Sequence, residues 1–114
     1  MQDQNCIFCK IASKESPAEI EYEDADVIAF WDVHPKAPTH ILIIPKKHIP
    51  SLNELSEVDY GLVAKMIAAA KMVASKKNLE QDGYRLCINN GSSSGQVVNH
   101  LHMHLLGGKK LAQM

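Results

Sequence analysis

The amino-acid sequence predicts an α+β fold with about five mostly antiparallel strands, one long helix and a short amino-terminal helix. Short β-prone runs bounded by Pro, Gly or Asp recur along the chain, and most connections between them are too short for parallel crossovers. One long segment instead repeats apolar residues at helical spacing. With 114 residues, the chain is long enough for one domain and not two, so we expect a single domain over residues 1–114.

The first third of the chain predicts a helix followed by three strands. Residues 6–13 carry apolar side chains at helical spacing, and Pro17 prevents a longer helix. Residues 19–23 alternate weakly and residues 27–31 form a β-prone run, with a turn between them, so the two indicate a hairpin. Residues 39–44 are branched and apolar between two prolines, a pattern typical of a strand buried at the centre of a sheet.

The long helix is predicted at residues 57–77. It is preceded by Ser56, and Asp59 three residues later completes a capping-box pattern. Its apolar stripe is wide enough to cover one face of a sheet, and comprises Leu62, Val63, Met66, Ile67, Ala70, Val73 and Ala74. Two further strands are expected at residues 84–89 and 97–106.

Charge and hydropathy exclude several classes of function. Twelve Lys and Arg against thirteen Asp and Glu give a formal net charge of −1, with both signs spread along the chain. No basic face therefore indicates a nucleic acid or a membrane surface as partner. No apolar run approaches the roughly 20 residues of a membrane span, and the polar start is unlike a secretory signal. We expect a cytoplasmic protein whose six His and three Cys carry the function.

Residues 100–106 form the most distinctive pattern, His-Leu-His-Met-His-Leu-Leu. In an extended strand the apolar members would face a core, and the three histidines would form a row on the other face, about 6.6 Å apart. A neutral imidazole can act as a nucleophile, as an acid or base, or as a metal ligand. Taken alone, the run is compatible with a nucleophilic histidine, with a His-x-His chelate that activates water, and with a strand that is merely polar on one side.

The cysteines divide into a pair and a single residue. Cys6 and Cys9 form a Cys-x-x-Cys pattern, which in a cytosolic chain indicates a metal knuckle or a redox pair rather than a structural disulfide. A thioredoxin-like motif needs a strand before the pair, and only five residues precede Cys6. Cys87 lies in a predicted strand and is expected to be a buried apolar residue without a function, and His34 is likewise assigned none.

The histidine run, preceded by Gly-Gln-Val-Val, resembles the signature of the histidine-triad (HIT) superfamily. Further matches follow in order along nearly the whole chain: Ile7-Phe8-Cys9-Lys10-Ile11, Glu23-Asp24, Ala29-Phe30-Trp31-Asp32, Pro35-Lys36-Ala37-Pro38-Thr39-His40, Ile44-Pro45-Lys46-Lys47-His48-Ile49 and Gly83-Tyr84-Arg85. With Leu106-Gly107-Gly108, the chain is similar to the Hint branch, the nucleoside phosphoramidases, rather than to the dinucleoside-polyphosphate hydrolases. The resemblance implies the HIT fold.

The same resemblance implies a hydrolase or transferase that cleaves purine nucleoside 5′-phosphoramidates, derivatives of AMP or GMP, through a covalent nucleotidyl-histidine. His102 would be the nucleophile, and the backbone carbonyl of His100 would fix its tautomer. His104 would contact a phosphate oxygen, and His40 would close the histidine network. No metal or other cofactor would be required for this chemistry.

For the nucleotide, the resemblance implies that the Asp32 carboxylate accepts hydrogen bonds from both ribose hydroxyls. Small residues in the loop at 89–96 would let backbone amides approach the phosphate. Val97 stands where these enzymes commonly have a serine, so only its backbone amide remains for the phosphate. The implied nucleotide-binding residues are Phe8, Phe30, Trp31, Asp32, Val33, Asn89, Gly95, Gln96, Val97, His102 and His104.

The resemblance also implies a structural zinc ion and a homodimer. The metal ligands would be Cys6, Cys9, His48 and His100, a donor set that suits a closed tetrahedral site. In the dimer, the long helix and the strand at 84–89 would pair across a twofold axis. Two alternative functions stay open: hydrolysis of dinucleoside polyphosphates, and a zinc- and nucleotide-binding interaction protein with little catalysis.

Overall fold

The computed structural model describes Asp3 and residues 5–113. Its main elements are helix α1 (Ile7–Ala12), strands β1 (Ile20–Glu23), β2 (Val27–Trp31) and β3 (Thr39–Pro45), helix α2 (Tyr60–Lys76), and strands β4 (Tyr84–Cys87) and β5 (Met103–Gly107). The five strands form one sheet in the order β1-β2-β3-β5-β4, and every neighbouring pair is antiparallel. The predicted α+β fold is confirmed. No helix in the described residues is long and apolar enough to cross a membrane.

The sheet separates two apolar layers. Val27 and Ala29 of β2 pack toward α2, whereas Ile28 and Phe30 pack toward α1. Strand β3 alternates in the same way, so both strands are buried on both faces, which explains their uninterrupted apolar runs. The buried side of α2 comprises Met66, Ala69, Ala70, Val73 and Ala74. On the other face the short helix α1 leaves part of the sheet uncovered, and the cavity described below opens there.

The predicted capping box is present, but it introduces a short 3-10 turn before the α-helix. Glu57–Asp59 form this turn, and α2 then runs over Tyr60–Lys76. Lys47 donates to the Asp59 carboxylate at 2.7 Å. This hydrogen bond holds the pKa of Asp59 below its usual value. The α-helix therefore begins three residues later than the sequence predicts.

The sequence predicts a strand at residues 97–106, but β5 begins only at Met103. The first half of this prediction is therefore wrong. The backbone N–H of His100 donates to the carbonyl of Val98 at 2.9 Å, and that of Leu101 donates to Ile49 at 2.6 Å, outside the sheet ladder. The chain turns at this point, and the buried ring of His100 reaches the cysteines near the amino terminus. The alternation nevertheless survives, since Leu101, Met103 and Leu105 all pack into the layer under α2.

Candidate functional site

A cavity of about 610 Å³ opens on the α1 face of the sheet. Its walls are α1, the end of β2 with the loop after it, and the segment that leads from β4 into β5. The structure brings most of the predicted catalytic and nucleotide-binding residues to these walls: Phe8, Phe30, Trp31, Asp32, Val33, His40, Asn89, Gly95, Val97, His102 and His104. Gln96 and His100 were predicted with them, and they lie behind the walls.

His102 has a defined tautomer. Its Nδ1 lies 2.7 Å from the backbone oxygen of His100. Because a carbonyl oxygen only accepts, neutral His102 carries its proton on Nδ1 and keeps the lone pair on Nε2. The ring of Phe8 packs edge-on against the imidazole, with centroids 5.1 Å apart. The side chain is thus fixed with an unprotonated nitrogen, which a nucleophilic histidine needs.

A second set of hydrogen bonds fixes His40 and His104. The backbone N–H of Lys36 donates to His40 Nδ1 at 3.0 Å, so the proton of neutral His40 lies on Nε2. That atom is 2.9 Å from His104 Nδ1, which leaves the His104 proton on Nε2. Burial lowers the pKa of His40, and it lowers the pKa of His104 to about 4 with help from the neighbouring histidines. Both rings are therefore neutral at pH 7, and His104 presents a hydrogen-bond donor on the cavity wall.

Asp32 completes the polar part of this wall. Its Oδ1 accepts the backbone N–H of His34 at 2.8 Å, and its Oδ2 lies 3.4 Å from His40 Nε2. A carboxylate has about four acceptor directions. Asp32 is thus held in place and still has acceptor capacity for hydroxyl groups of a ligand.

The loop between β4 and β5 is shaped by Gln96, which is only 7% exposed. Its side-chain oxygen accepts the N–H of Gly91 at 2.8 Å, and its amide nitrogen donates to Pro50 at 2.7 Å and to Val98 at 3.1 Å. The side chain predicted to contact nucleotide therefore maintains the loop. By contrast, the backbone amides of Val97 and Val98 meet no acceptor among the described residues, and both residues line the cavity. Unpaired amides of this kind can bind an anion.

Trp31 borders the cavity, but its indole belongs to the other side of the sheet. The ring packs into the layer under α2, and Nε1 donates to Glu21 at 2.7 Å. Burial raises the pKa of Glu21, but hydrogen bonds from Trp31, Lys76 and Lys77 outweigh it and lower the value to about 2. The indole N–H thus already donates to an ionised carboxylate.

The four predicted metal ligands come together behind the cavity. The Sγ atoms of Cys6 and Cys9 and the Nδ1 atoms of His48 and His100 all lie within 4.8 Å of one another. The sulfur–nitrogen distances from Cys6 to His100 and from Cys9 to both histidines are 3.2 to 3.5 Å, and the two nitrogens are 3.2 Å apart. A tetrahedral zinc ion requires about 3.6 Å and about 3.3 Å for these edges. The observed edges are shorter than these by up to about 0.4 Å, so the cluster would expand slightly around a zinc ion.

The surroundings of the cluster also suit a metal ion. His100 Nε2 is 2.8 Å from the carbonyl oxygen of Pro45, so its proton is on Nε2 and the Nδ1 lone pair faces the thiols. The Asp3 carboxylate lies 3.7 Å from His48 Nε2, a partner that metal-bound histidines commonly have. Burial raises the pKa of the Cys9 thiol, so metal binding there would release a proton. Donor type, spacing and tautomer all fit zinc.

Asp32, His40 and His104 also lie within 4.8 Å of one another, but their protons do not suit a metal. His40 Nδ1 already accepts the Lys36 amide, so the Nε2 atom that faces the group carries a proton. A metal ligand needs a lone pair at that position. This second group therefore fits a hydrogen-bonded network.

Several residues that line the cavity were not predicted there, among them His34, Lys36 and Cys87. Cys87 is half-buried rather than buried as predicted, and it pairs with His104 across the β4–β5 ladder. Paired residues of neighbouring strands share a face. The pairing of Cys87 with His104 could therefore have predicted that Cys87 lines the cavity. Lys36 acts through its backbone amide, which donates to His40. Residue type does not predict a contact made by a backbone group.

A sequence model of the HIT domain matches residues 13–111. The chain belongs to the HIT family. The purine nucleoside phosphoramidase of Escherichia coli K12 is 45% identical over 111 residues, covering 97% of this chain and 93% of the relative. A solved HIT family hydrolase from Legionella pneumophila is 48% identical, with a TM-score of 0.93 and 95% and 96% of the two chains covered. A Zn-bound HIT protein from Mycobacterium smegmatis is 31% identical, with a TM-score of 0.81 over 92% of this chain and 76% of that one.

Proposed function

We propose that this HIT protein cleaves purine nucleoside 5′-phosphoramidates through a covalent nucleotidyl intermediate on His102, as an adenosine 5′-monophosphoramidase. The tautomer of His102 carries the proposal, because its Nδ1–H donates to the His100 carbonyl and leaves Nε2 able to attack. The 45% identity to the Escherichia coli purine nucleoside phosphoramidase over nearly the whole chain supports it. The whole chain acts as one HIT domain.

In the first step, His102 Nε2 attacks the α-phosphorus, and the P–N bond to the amine breaks. The electron pair of that bond goes to the amine nitrogen, which takes up a proton from solvent. A water oxygen then attacks the same phosphorus and gives a proton to solvent. The bond to His102 breaks with its electron pair returning to Nε2, and the nucleoside monophosphate leaves. The His104 Nε2–H donates to a phosphate oxygen as charge develops there. Since its ring is neutral, His104 stabilises this charge by a hydrogen bond rather than as a cation.

The nucleotide lies along the cavity. The Asp32 carboxylate accepts from the ribose hydroxyls, and the backbone amides of Val97 and Val98 donate to the α-phosphate. The base lies in the apolar part of the cavity, where the rings of Phe8 and Phe30 meet edge-on at 5.5 Å. Hydrogen-bonding groups are thus concentrated where ribose and phosphate bind.

The test is turnover of adenosine 5′-phosphoramidate, with release of AMP and ammonia. His102→Ala should abolish it, and mass spectrometry of a quenched wild-type reaction should show one nucleotidyl adduct on His102. His34→Ala is a matched control for the chemical step, because it removes a cavity-wall imidazole that the mechanism does not use and keeps the backbone N–H that Asp32 accepts, so the adduct on His102 should still form. Full activity of His102→Ala would exclude the mechanism.

Two other functions remain candidates because Val97 lacks a hydroxyl and is 89% exposed at the cavity rim. A dinucleoside-polyphosphate hydrolase would turn over diadenosine polyphosphates faster than the phosphoramidate. An interaction protein that binds nucleotide would bind AMP and turn over neither substrate. The ratio of the two rates and the affinity for AMP therefore separate the three functions.

We propose further that Cys6, Cys9, His48 and His100 hold a structural zinc ion, which the cytoplasm would permit by keeping the thiols reduced. The ion would crosslink the start of α1 to the segment before β5 and take no part in the reaction. Elemental analysis should give one zinc per chain, lost in His48→Ala. Cys87→Ser is the matched control, since Cys87 lies outside the cluster, and its zinc content should be unchanged.

We also propose a homodimer. Tyr60, Ile67 and Met72 are exposed on α2 at 59%, 42% and 56%, and β4 is an edge strand that pairs only with β5 in the described sheet. Exposed apolar side chains on the helix and an open sheet edge both suit self-association. Ile67→Glu should yield a monomer in analytical ultracentrifugation. Ile20→Glu, on the opposite edge strand β1, should leave the dimer intact.

A further inference from the structure

Cys87 has no part in the chemistry above, yet it stands inside the cavity. It pairs with His104 in the β4–β5 register, and both side chains belong to the cavity wall. Its Sγ lies 3.4 Å from Asn89 Oδ1, and Asn89 lines the same cavity. The thiol therefore contacts the first side chain of the loop at residues 89–96.

The contact distinguishes the two ends of the Asn89 amide. An asparagine amide fills nearly the same space in either orientation, with an acceptor at one end and two donors at the other. A thiol is a weak donor and a weak acceptor, and in the structure the Cys87 thiol donates to Asn89 Oδ1. Cys87 therefore favours the orientation in which Oδ1 faces the thiol and Nδ2 faces away.

The other end of the amide is free to bind a ligand. Asn89 Nδ2 donates to no acceptor among the described residues, and a Cβ added to Gly95 would lie 3.7 Å from it. Gly95 also borders the cavity, and its φ of +102° is a conformation that favours glycine. The Nδ2 group thus joins the amides of Val97 and Val98 as a third unpaired donor on one wall. Convergence of unpaired donors indicates an anionic ligand.

We propose that Cys87 is a positioning residue whose thiol holds the Asn89 amide with its NH₂ group toward the cavity, where it donates to a phosphate oxygen of the bound nucleotide. The identity of the ligand rests on the proposed function, whereas the orientation of the amide does not. Cys87 touches no reacting atom and acts only through Asn89. Loss of one neutral hydrogen bond corresponds to roughly a 2- to 10-fold change in binding.

The first test is the affinity for AMP, measured by calorimetry. Cys87→Val fills the space of the thiol without a donor and should weaken AMP binding several-fold, whereas Cys87→Ser retains a donor and should restore it. In an Asn89→Ala background, Cys87→Val should have no further effect. Adenosine lacks the phosphate, so its affinity should be equal in all variants. Equal AMP affinity of wild type and Cys87→Val, or the same loss in both backgrounds, would overturn the proposal.

The second test needs no ligand and no turnover. In NMR spectra of the free wild-type protein, the side-chain NH₂ protons of Asn89 should show cross-relaxation to Gly95 and none to the β-protons of Cys87, and Cys87→Val should lose this preference. The opposite pattern in the wild type would refute the proposal. If the wild type binds no AMP, the proposed function fails, while this spectrum still decides the orientation of the amide.

Discussion

His104 should make the folded protein sensitive to acid. In the folded chain, burial and the neighbouring imidazoles lower its pKa to about 4. The pKa of a histidine in the unfolded chain is about 6.5. Between these two values the unfolded state binds a proton that the folded state does not. The free energy of unfolding therefore falls as pH falls from 6.5 to 4.

The size of the effect follows from the two pKa values. Each unit of pH between them changes the free energy of unfolding by about 1.4 kcal/mol. Acidification from pH 7 to pH 4.5 covers about two of these units, but titration is gradual near each pKa. Proton uptake by His104 in the unfolded state should therefore lower the free energy of unfolding by somewhat more than about 2 kcal/mol. Carboxylates such as Glu21, whose pKa is about 2, also contribute in acid, but they remain when His104 is replaced.

The assay is urea denaturation of metal-free wild type and His104→Asn at pH 7 and pH 4.5. The wild type should lose about 2 kcal/mol more than the variant over this range, since groups common to both proteins cancel in the difference. His34→Asn, at an exposed position, should behave as the wild type does. Equal losses in wild type and His104→Asn would show that the folded protein accepts a charged His104, and the tautomer argument for His40 and His104 would fail with it.

Three further substitutions test a tight glycine contact, a helical glycine and an ionised carboxylate. Each is measured by urea denaturation followed through the fluorescence of Trp31, the only tryptophan. Gly108→Ala should lower stability by about 1 to 3 kcal/mol, because φ is +92° and the new Cβ would meet Pro38 Cβ at 2.9 Å. Gly61→Ala, in α2 with nothing within 4 Å, should raise it by up to about 1 kcal/mol. Glu21→Gln should lose the part of the acid dependence between about pH 4.5 and pH 2, since the Glu21 pKa is about 2 and its stabilising effect disappears as pH falls through this window.

The elements of the fold were predictable because their patterns are local. Residues 27–31 and 41–45, which became β2 and most of β3, are apolar at every position, and the structure buries both strands on both faces. The segment before β5 was mispredicted because alternation of His and Leu looks the same in a strand and in the turn that forms. That turn depends on a contact between Cys6 and His100, 94 residues apart, which local periodicity does not report.

The candidate site shows the same division. The period of two that turns Phe30 and Asp32 to one face turns Trp31 to the other, so the placement of the indole was available from the strand pattern. The partners of Gln96 were not, because its amide bonds to Pro50, 46 residues away. Hydrogen bonds to backbone groups also fix the tautomers of the histidines. Such bonds cannot be predicted from residue type, because every residue has the same backbone groups.

Helix α1 lies between the Cys/His cluster and the cavity. It has six residues, too few to be stable alone, so its position depends on what holds it against the sheet. Cys6 and Cys9 flank Phe8, whose ring contacts both His100 and His102. A metal ion on the cysteines and a nucleotide in the cavity would each favour the docked helix. By thermodynamic reciprocity each would then raise the affinity for the other, so a protein with metal on the cysteines would bind nucleotide more tightly than the metal-free protein.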